Sequence, residues 1–234
     1  PPRHGVRRQR QMCIRDRFRP VTIVNVDMLL AARRQFKKEP DVEKSKITVL
    51  TELTLTNLET EGTIDEQDFL NRVDIICSLG QTVMISNYQQ YYKLVDYLST
   101  LNRGKKIGII LGMANLQQVF DEQYYTDLRG GVLEAFGTLF GNNVKLYVYP
   151  SLNEDNEAYT LDHFKLPPHQ QSLFQFLIDN HKLVDVEKPN YEHLNILSDQ
   201  VLEMIQHGNP EWEGLVPRQI VSLIKDRGMF GYTP

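Results

Sequence analysis

The residues that could do chemistry in this sequence fall where short apolar runs give way to small polar side chains. Ser86-Asn87 follows TVMI, Gly112 and Asn115 follow IGIIL, Tyr149 closes VKLYVY, and Glu52 sits within TELT. A carboxylate inside a β-branched run is an unusual place for a charge, so Glu52 is a candidate general base or metal ligand, with Asn87 as its catalytic partner; an edge-strand carboxylate facing water is the plainer reading. Ser86, next to the free N–H groups that open a helix, suits a phosphate or carboxylate; Ser and Asn are also ordinary N-caps. Gly112 lets a ligand approach the backbone, and Asn115 follows within one turn. Arg129-Gly130-Gly131, with Glu134 one turn later, can shape an anion-binding nest with a bidentate cation beside it. A flexible turn between two helices explains the two glycines equally well. Tyr149, with Tyr147, Tyr124 and Tyr125, offers faces for stacking on a ring, although aromatics serve more often as core.

Other chemistries lack their residues. His163, His169, His181, His193 and His207 all lie in the last third, none four residues from another, and neither HExxH nor CxxC occurs. No zinc site is expected. There is no GxxxxGK[ST] loop and no GxSxG elbow, which removes P-loop nucleotidases and the α/β-hydrolase nucleophile. Cys77 falls on an apolar helix face and reads as a core thiol. No metal is expected, and no cofactor follows from the residues.

The elements that must position these side chains alternate. Residues 47–55, 82–86, 107–111 and 144–149 read as strands, the later ones nearly all apolar, as strands covered on both faces are. Between them, 65–79 and 89–101 carry helical spacing, and 116–120 and 132–140 are shorter helical runs. Residues 21–26 form a β-branched run, followed by a helix over 28–37 with Asp27 as its cap. Strand–helix alternation predicts an α/β fold: a parallel sheet with crossover helices, either open or part of a barrel. Residues 18–160 are expected as that domain. Residues 151–160 are polar and read as a surface loop or hinge. Residues 161–234 are expected as a helical C-terminal extension, with helices over 170–180, 192–206 and from 217 to 228. In such a sheet, ligands bind beyond the carboxyl ends of the strands, which is where Glu52, Ser86, Asn87, Gly112, Asn115 and Tyr149 fall.

Composition bounds the rest. The chain has 234 residues, 41% of them hydrophobic, with 26 basic and 30 acidic side chains. Its mean hydropathy is −0.38. That is enough apolar material for a core, with no run long enough to span a membrane. The charge is lopsided: residues 1–17 hold six arginines against one aspartate, leaving an acidic body unsuited to nonspecific nucleic-acid binding. The words VRRQRQMCIRDR resemble a translated sequencing-adapter read-through found at the ends of metagenomic reading frames. On that resemblance residues 1–17 are expected to be an artefact outside the fold, and the chain to be truncated at its N-terminus.

The runs FLNRVDIICSLGQTVMISNY and GGVLEAFGTLFGNNVKLYVYP, with EWEGLVPRQIVSLIKDRGMFGY near the end, resemble an uncharacterised bacterial family. Its members go under two kinds of name: nicotinate or nicotinamide-nucleotide adenylyltransferase, and TonB-dependent receptor. The receptor name fails physically, since a transmembrane barrel needs many strands of alternating pattern. The other name implies an H-x-G-H motif near the first strand and a later S-T-x-x-R motif. No H-x-G-H occurs. Ser99-Thr100-Leu101-Asn102-Arg103 has the second motif's letters, but at the end of a predicted helix, where carbonyls face outward.

These readings lead to a cytoplasmic enzyme acting on a nucleotide-like or phosphorylated small molecule, with nucleotidyl transfer the function the resemblance implies. The partner expected is a small-molecule ligand, with no nucleic acid and no membrane. The alternative is a non-catalytic assembly module that uses Trp212, Phe230 and Tyr232 of the tail as anchors on a partner.

Overall fold

The computed structural model describes residues 10–40, 42–43, 47–55, 66–102, 104–141 and 143–233. Residues 1–9 of the basic segment, Asp65 at the predicted start of a helix, and Arg103 lie outside these. The fold is α/β. Six strands form one parallel sheet: β1 (Arg10–Arg15), β2 (Ile47–Thr54), β3 (Thr82–Ser86), β4 (Ile107–Gly112), β5 (Val144–Tyr149) and β6 (Leu183–Asp185). Their order is β3-β2-β1-β4-β5-β6, and every neighbouring pair is parallel. The sheet is open, with β3 and β6 at its edges, which settles the choice between sheet and barrel.

Among the described residues eight α-helices cover it: α1 (Ile23–Phe36), α2 (Glu66–Ser78), α3 (Tyr91–Asn102), α4 (Met113–Val119), α5 (Gly131–Phe140), α6 (Pro168–Asp179), α7 (Ser198–Gln206) and α8 (Arg218–Arg227). The chain steps from β1 outward to β2 and β3, then returns past β1 to β4 and continues to β5 and β6. Because each crossover is right-handed, reversing the direction of travel places helices on opposite faces. Accordingly α1 and α2 share one hydrophobic cluster with Met12 and Ile14, and α3 to α6 share the other with Cys13. Successive residues of β1 thus feed opposite faces, as the two-residue period of a strand requires.

Four expectations are corrected. Arg10–Arg15 is the central strand of the sheet, not a segment outside it. Met12, Cys13 and Ile14 are at most 1% exposed, because a strand flanked and covered on both sides needs three successive apolar residues. The helix expected over 28–37 begins earlier, at Ile23, and takes in most of the β-branched run. Thr22 caps α1, and Asp27 lies inside that helix; packing of Met28, Leu29, Ala32 and Phe36 against the sheet outweighs β-branched propensity. Residues 161–234 are not a separate extension. Leu183–Asp185 pairs with Leu146–Val148 as an edge strand, and α7 and α8 bury Val201, Ile205, Ile220 and Ile224 in the same cluster as α1 and β1. Residues 151–160 close into a small hairpin, Ser151–Leu152 with Ala158–Tyr159.

The aromatic residues of the tail also face inward. Trp212 is 1% exposed and its ring meets that of Tyr232 edge-on at 6.0 Å; Phe230 is buried as well. Cys77, expected as a core thiol, is exposed, and Cys13 is the buried cysteine. No helix among the described residues is long and apolar enough to cross a membrane.

Candidate active site

Ligands of open parallel sheets bind where the strand order reverses. Here that point lies above the carboxyl ends of β1 and β4, whose outgoing connections run to opposite sides. Arg15-Asp16-Arg17 comes from one strand and Gly112-Met113 from the other. Gly112 has extended backbone, φ −85°, and a Cβ built on it would meet nothing within 4 Å. The crevice is open at this position. Asn115, in the first turn of α4, is half-buried beside it in the chain.

The β1–α1 connection is fastened from within. Asp16 Oδ1 accepts the Arg17 N–H at 2.6 Å, and Asp16 Oδ2 accepts the Asn25 side-chain amide at 2.6 Å. Asn25 in turn closes a capping box with Thr22: Asn25 Oδ1 accepts the Thr22 N–H at 2.9 Å, and Thr22 Oγ1 accepts the Asn25 N–H at 3.4 Å. Burial pushes the Asp16 carboxyl above the usual carboxylate range, against the lowering effect of the two bonds it accepts. Arg17 is exposed, its guanidinium 3.5 Å from Asp199 at the start of α7.

Glu52 and Ser86 do come together, directly, and a third residue, Arg15, joins them. Ser86 donates its hydroxyl to one oxygen of Glu52, and Arg15 Nε donates to the other. The remaining Arg15 nitrogens reach the carbonyls of Gln89 at 2.8 Å and Tyr88 at 2.7 Å, and the guanidinium lies 4.6 Å over the Tyr91 ring. Burial works to lower the Arg15 pKa, but the adjacent Glu52 carboxylate holds it above its ordinary value. Glu52 is fully buried, so its carboxylate anchors Arg15 and, through it, the β3–α3 connection. Asn87 is exposed in that connection.

Tyr149 is also structural. It is buried and donates its hydroxyl to Asp27 Oδ2 at 2.5 Å; burial first, then Asp27, push the phenol up. The same Asp27 oxygen accepts the Asn190 N–H at 2.8 Å, tying the segment after β6 to α1. Tyr149 therefore presents no free ring to a ligand.

Arg129, Gly130 and Gly131 stand apart. They open α5, whose buried residues belong to the cluster on the face away from α1 and Tyr149. Arg129 and Gly130 are exposed, Gly131 has φ +55°, and the Gly130 N–H donates to Glu134 at 2.8 Å. The nest is filled by the chain's own carboxylate.

Arg15, Asp16 and Arg17 are not among the residues expected from the sequence, because the resemblance of residues 1–17 to adapter read-through places them outside the fold. The signal was present as the apolar triplet Met12-Cys13-Ile14 immediately followed by charge. Among the described residues, no group of three or more His, Cys, Asp or Glu side chains converges as metal ligands do.

No family model matches the sequence, and no curated protein does. Solved structures do resemble the fold. A Plasmodium falciparum nicotinic acid mononucleotide adenylyltransferase, complexed with APC, superposes with a TM-score of 0.57 over 96% of this chain and 99% of that one, at 11% identity. A Vibrio parahaemolyticus protein assigned to the nicotinate-nucleotide adenylyltransferases gives 0.48 over 96% and 97%, at 12% identity. This chain therefore shares the open parallel α/β fold of the first of these structures.

Proposed function

We propose that this protein is a cytoplasmic enzyme that binds a nucleoside triphosphate in the crevice above β1 and β4 and transfers its nucleotidyl group to a small phosphorylated acceptor, an acceptor phosphate oxygen bonding to the α-phosphorus as the α–β bond breaks and diphosphate leaves, in the manner of a nicotinate or nicotinamide-nucleotide adenylyltransferase. The observation that carries the reading is the switch point itself: an open position at Gly112, at the end of β4, and an exposed cation, Arg17, just past the end of the neighbouring β1, in a fold shared with a nucleotidyl-transfer enzyme over nearly the whole of both chains.

In this reading the chain contributes position and charge rather than covalent chemistry, as phosphoryl-group reactions require. Gly112 gives the ligand close access to backbone. Arg17 neutralises phosphate charge, its exposed contact with Asp199 being weak enough to yield. Asn87 and Asn115 orient the ligand from either side. Glu52 and Ser86 act as positioning residues, holding Arg15 and the connection that bears Asn87. The β1–α1 connection contains no histidine, so the groups that face phosphate there are Arg17 and backbone N–H groups.

The test is calorimetric titration of the full chain with ATP and with nicotinic acid mononucleotide, repeated on Gly112→Val. Nothing in the fold opposes a side chain at this position, so the variant melts like the parent, while the valine fills the crevice and abolishes binding. A ligand present at about 100 times its Kd raises apparent stability by about 2.7 kcal/mol. Unaltered nucleotide affinity in Gly112→Val would remove the crevice from consideration.

A further inference from the structure

The geometry points to a second anion site, at the opposite rim of the sheet from the crevice: a polar cavity that takes a small multivalent phosphate, of the size of inorganic diphosphate. The cavity lies at the amino ends of β4, β5 and β6, against the end of α1. Its volume is about 200 Å³, and its walls include Glu39, Lys106, Asn143, Lys145, His181 and Lys182. One water occupies about 30 Å³ of liquid, so the space suits a compact polyanion.

Charge is the argument. Glu39 accepts from Lys145 at 2.5 Å, Lys106 at 3.1 Å and the Tyr147 hydroxyl at 3.0 Å. Two ammonium groups therefore share one carboxylate. Lys182 adds a third, and its contact is the last carbonyl of α5, Phe140 O, at 3.4 Å. That is a contact a lysine makes at many helix C-termini, and among the described residues no carboxylate pairs with it. The walls hold three ammonium groups against one carboxylate, inside a protein whose net charge is −4. Lys106 and Lys145 have side chains only 25% and 23% exposed, so water screens them less than it would on an open surface. Lysines act on phosphate as point charges, without the fork by which arginine grips carboxylate and phosphate alike; the wall has lysines and no arginine. An anion of two or more charges would restore the balance.

The experiment is titration of the full chain with inorganic diphosphate, followed by amide chemical shifts, for the parent and for Lys182→Gln and Lys182→Arg. The expected result is a saturable shift at Lys106, Asn143, Lys145 and Lys182 that leaves Gly112 and Met113 in place. Lys182→Gln should weaken binding about tenfold, Lys182→Arg should retain most of it, and raised ionic strength should weaken it in the parent. Absence of saturable binding at millimolar diphosphate would overturn the proposal. So would shifts confined to Gly112 and Met113, equal affinity in Lys182→Gln, or equal binding of citrate. This site does not depend on the nucleotide crevice, whose own test uses Gly112→Val.

Discussion

At the carboxyl ends of the strands, Arg15 meets Glu52 one to one, with side chains 7% and 0% exposed. At the amino ends, Lys106 and Lys145 share Glu39, with side chains 25%, 23% and 13% exposed. In the first arrangement each Arg15 nitrogen and the Ser86 hydroxyl has a named acceptor, and the ion pair is buried. It can hold a loop in place but has nothing left to offer a ligand. The second is unbalanced and reached by solvent. The contrast separates charge that builds the fold from charge that can recruit something to it, and it explains why a buried carboxylate at a strand end is a poor choice for a catalytic base.

The largest effect should come from breaking the closed pair. Glu52→Gln leaves the Arg15 charge buried without its counter-ion, and a loss of about 3–5 kcal/mol is expected in denaturant unfolding. Glu39→Gln, at the solvated rim, should cost about 1 kcal/mol or less, because its lysines can turn to water. Equal losses at the two sites would erase the distinction drawn here.

Between the rims, Gly108 of β4 sets how closely α1 and β5 approach. A Cβ there would stand 3.1 Å from both Phe36 and Tyr147, and those rings meet edge-on at 6.1 Å. Gly108→Val should destabilise by about 1–3 kcal/mol through overpacking, measured the same way. Gly112→Val on the same strand should be close to neutral for stability.

The two rims should also titrate in opposite senses. The Glu39 carboxyl is held below its usual range: burial raises it, but Lys145, Lys106 and Tyr147 outweigh that. A depressed acid contributes stability above its unfolded value and loses it as pH falls through the folded one. The advantage of the parent over Glu39→Gln should therefore vanish on acidification. Asp16 is raised, so its contribution is present at low pH and is lost as pH rises through the elevated folded value. Asp16→Asn should then stand higher relative to the parent at neutral pH than at acid pH, in thermal melts across the range. The smallest effect on stability is expected for Arg17→Ala, within about 0.5 kcal/mol, with nucleotide affinity nonetheless falling about tenfold.

The elements that were legible in the sequence are those whose environment leaves one solution. IGIIL and VKLYVY had to be covered on both faces, and they are β4 and β5. Their ends placed Gly112, Asn115 and Tyr149 at the carboxyl rim, and TVMIS did the same for Ser86 and Asn87. Helical spacing located α2, α3 and α5 within a few residues. The three-residue strand β6 was not legible, since a run that short becomes a strand only by finding an edge to pair with. Nor was the start of α1, where VTIVNV has β propensity and becomes a capped helix once its neighbours pack on the sheet.

By itself the sequence determined the alternation of buried strands and amphipathic helices, hence parallel strands, right-handed crossovers and a rim of polar residues, because these follow from local periodicity and the need to bury apolar faces. Only the tertiary structure decided which of those polar residues face a ligand and which face each other. Arg15 and Glu52 are 37 residues apart, and Tyr149 and Asp27 are 122 apart. Strand order and the direction of each crossover bring them into contact, and no local pattern encodes that order.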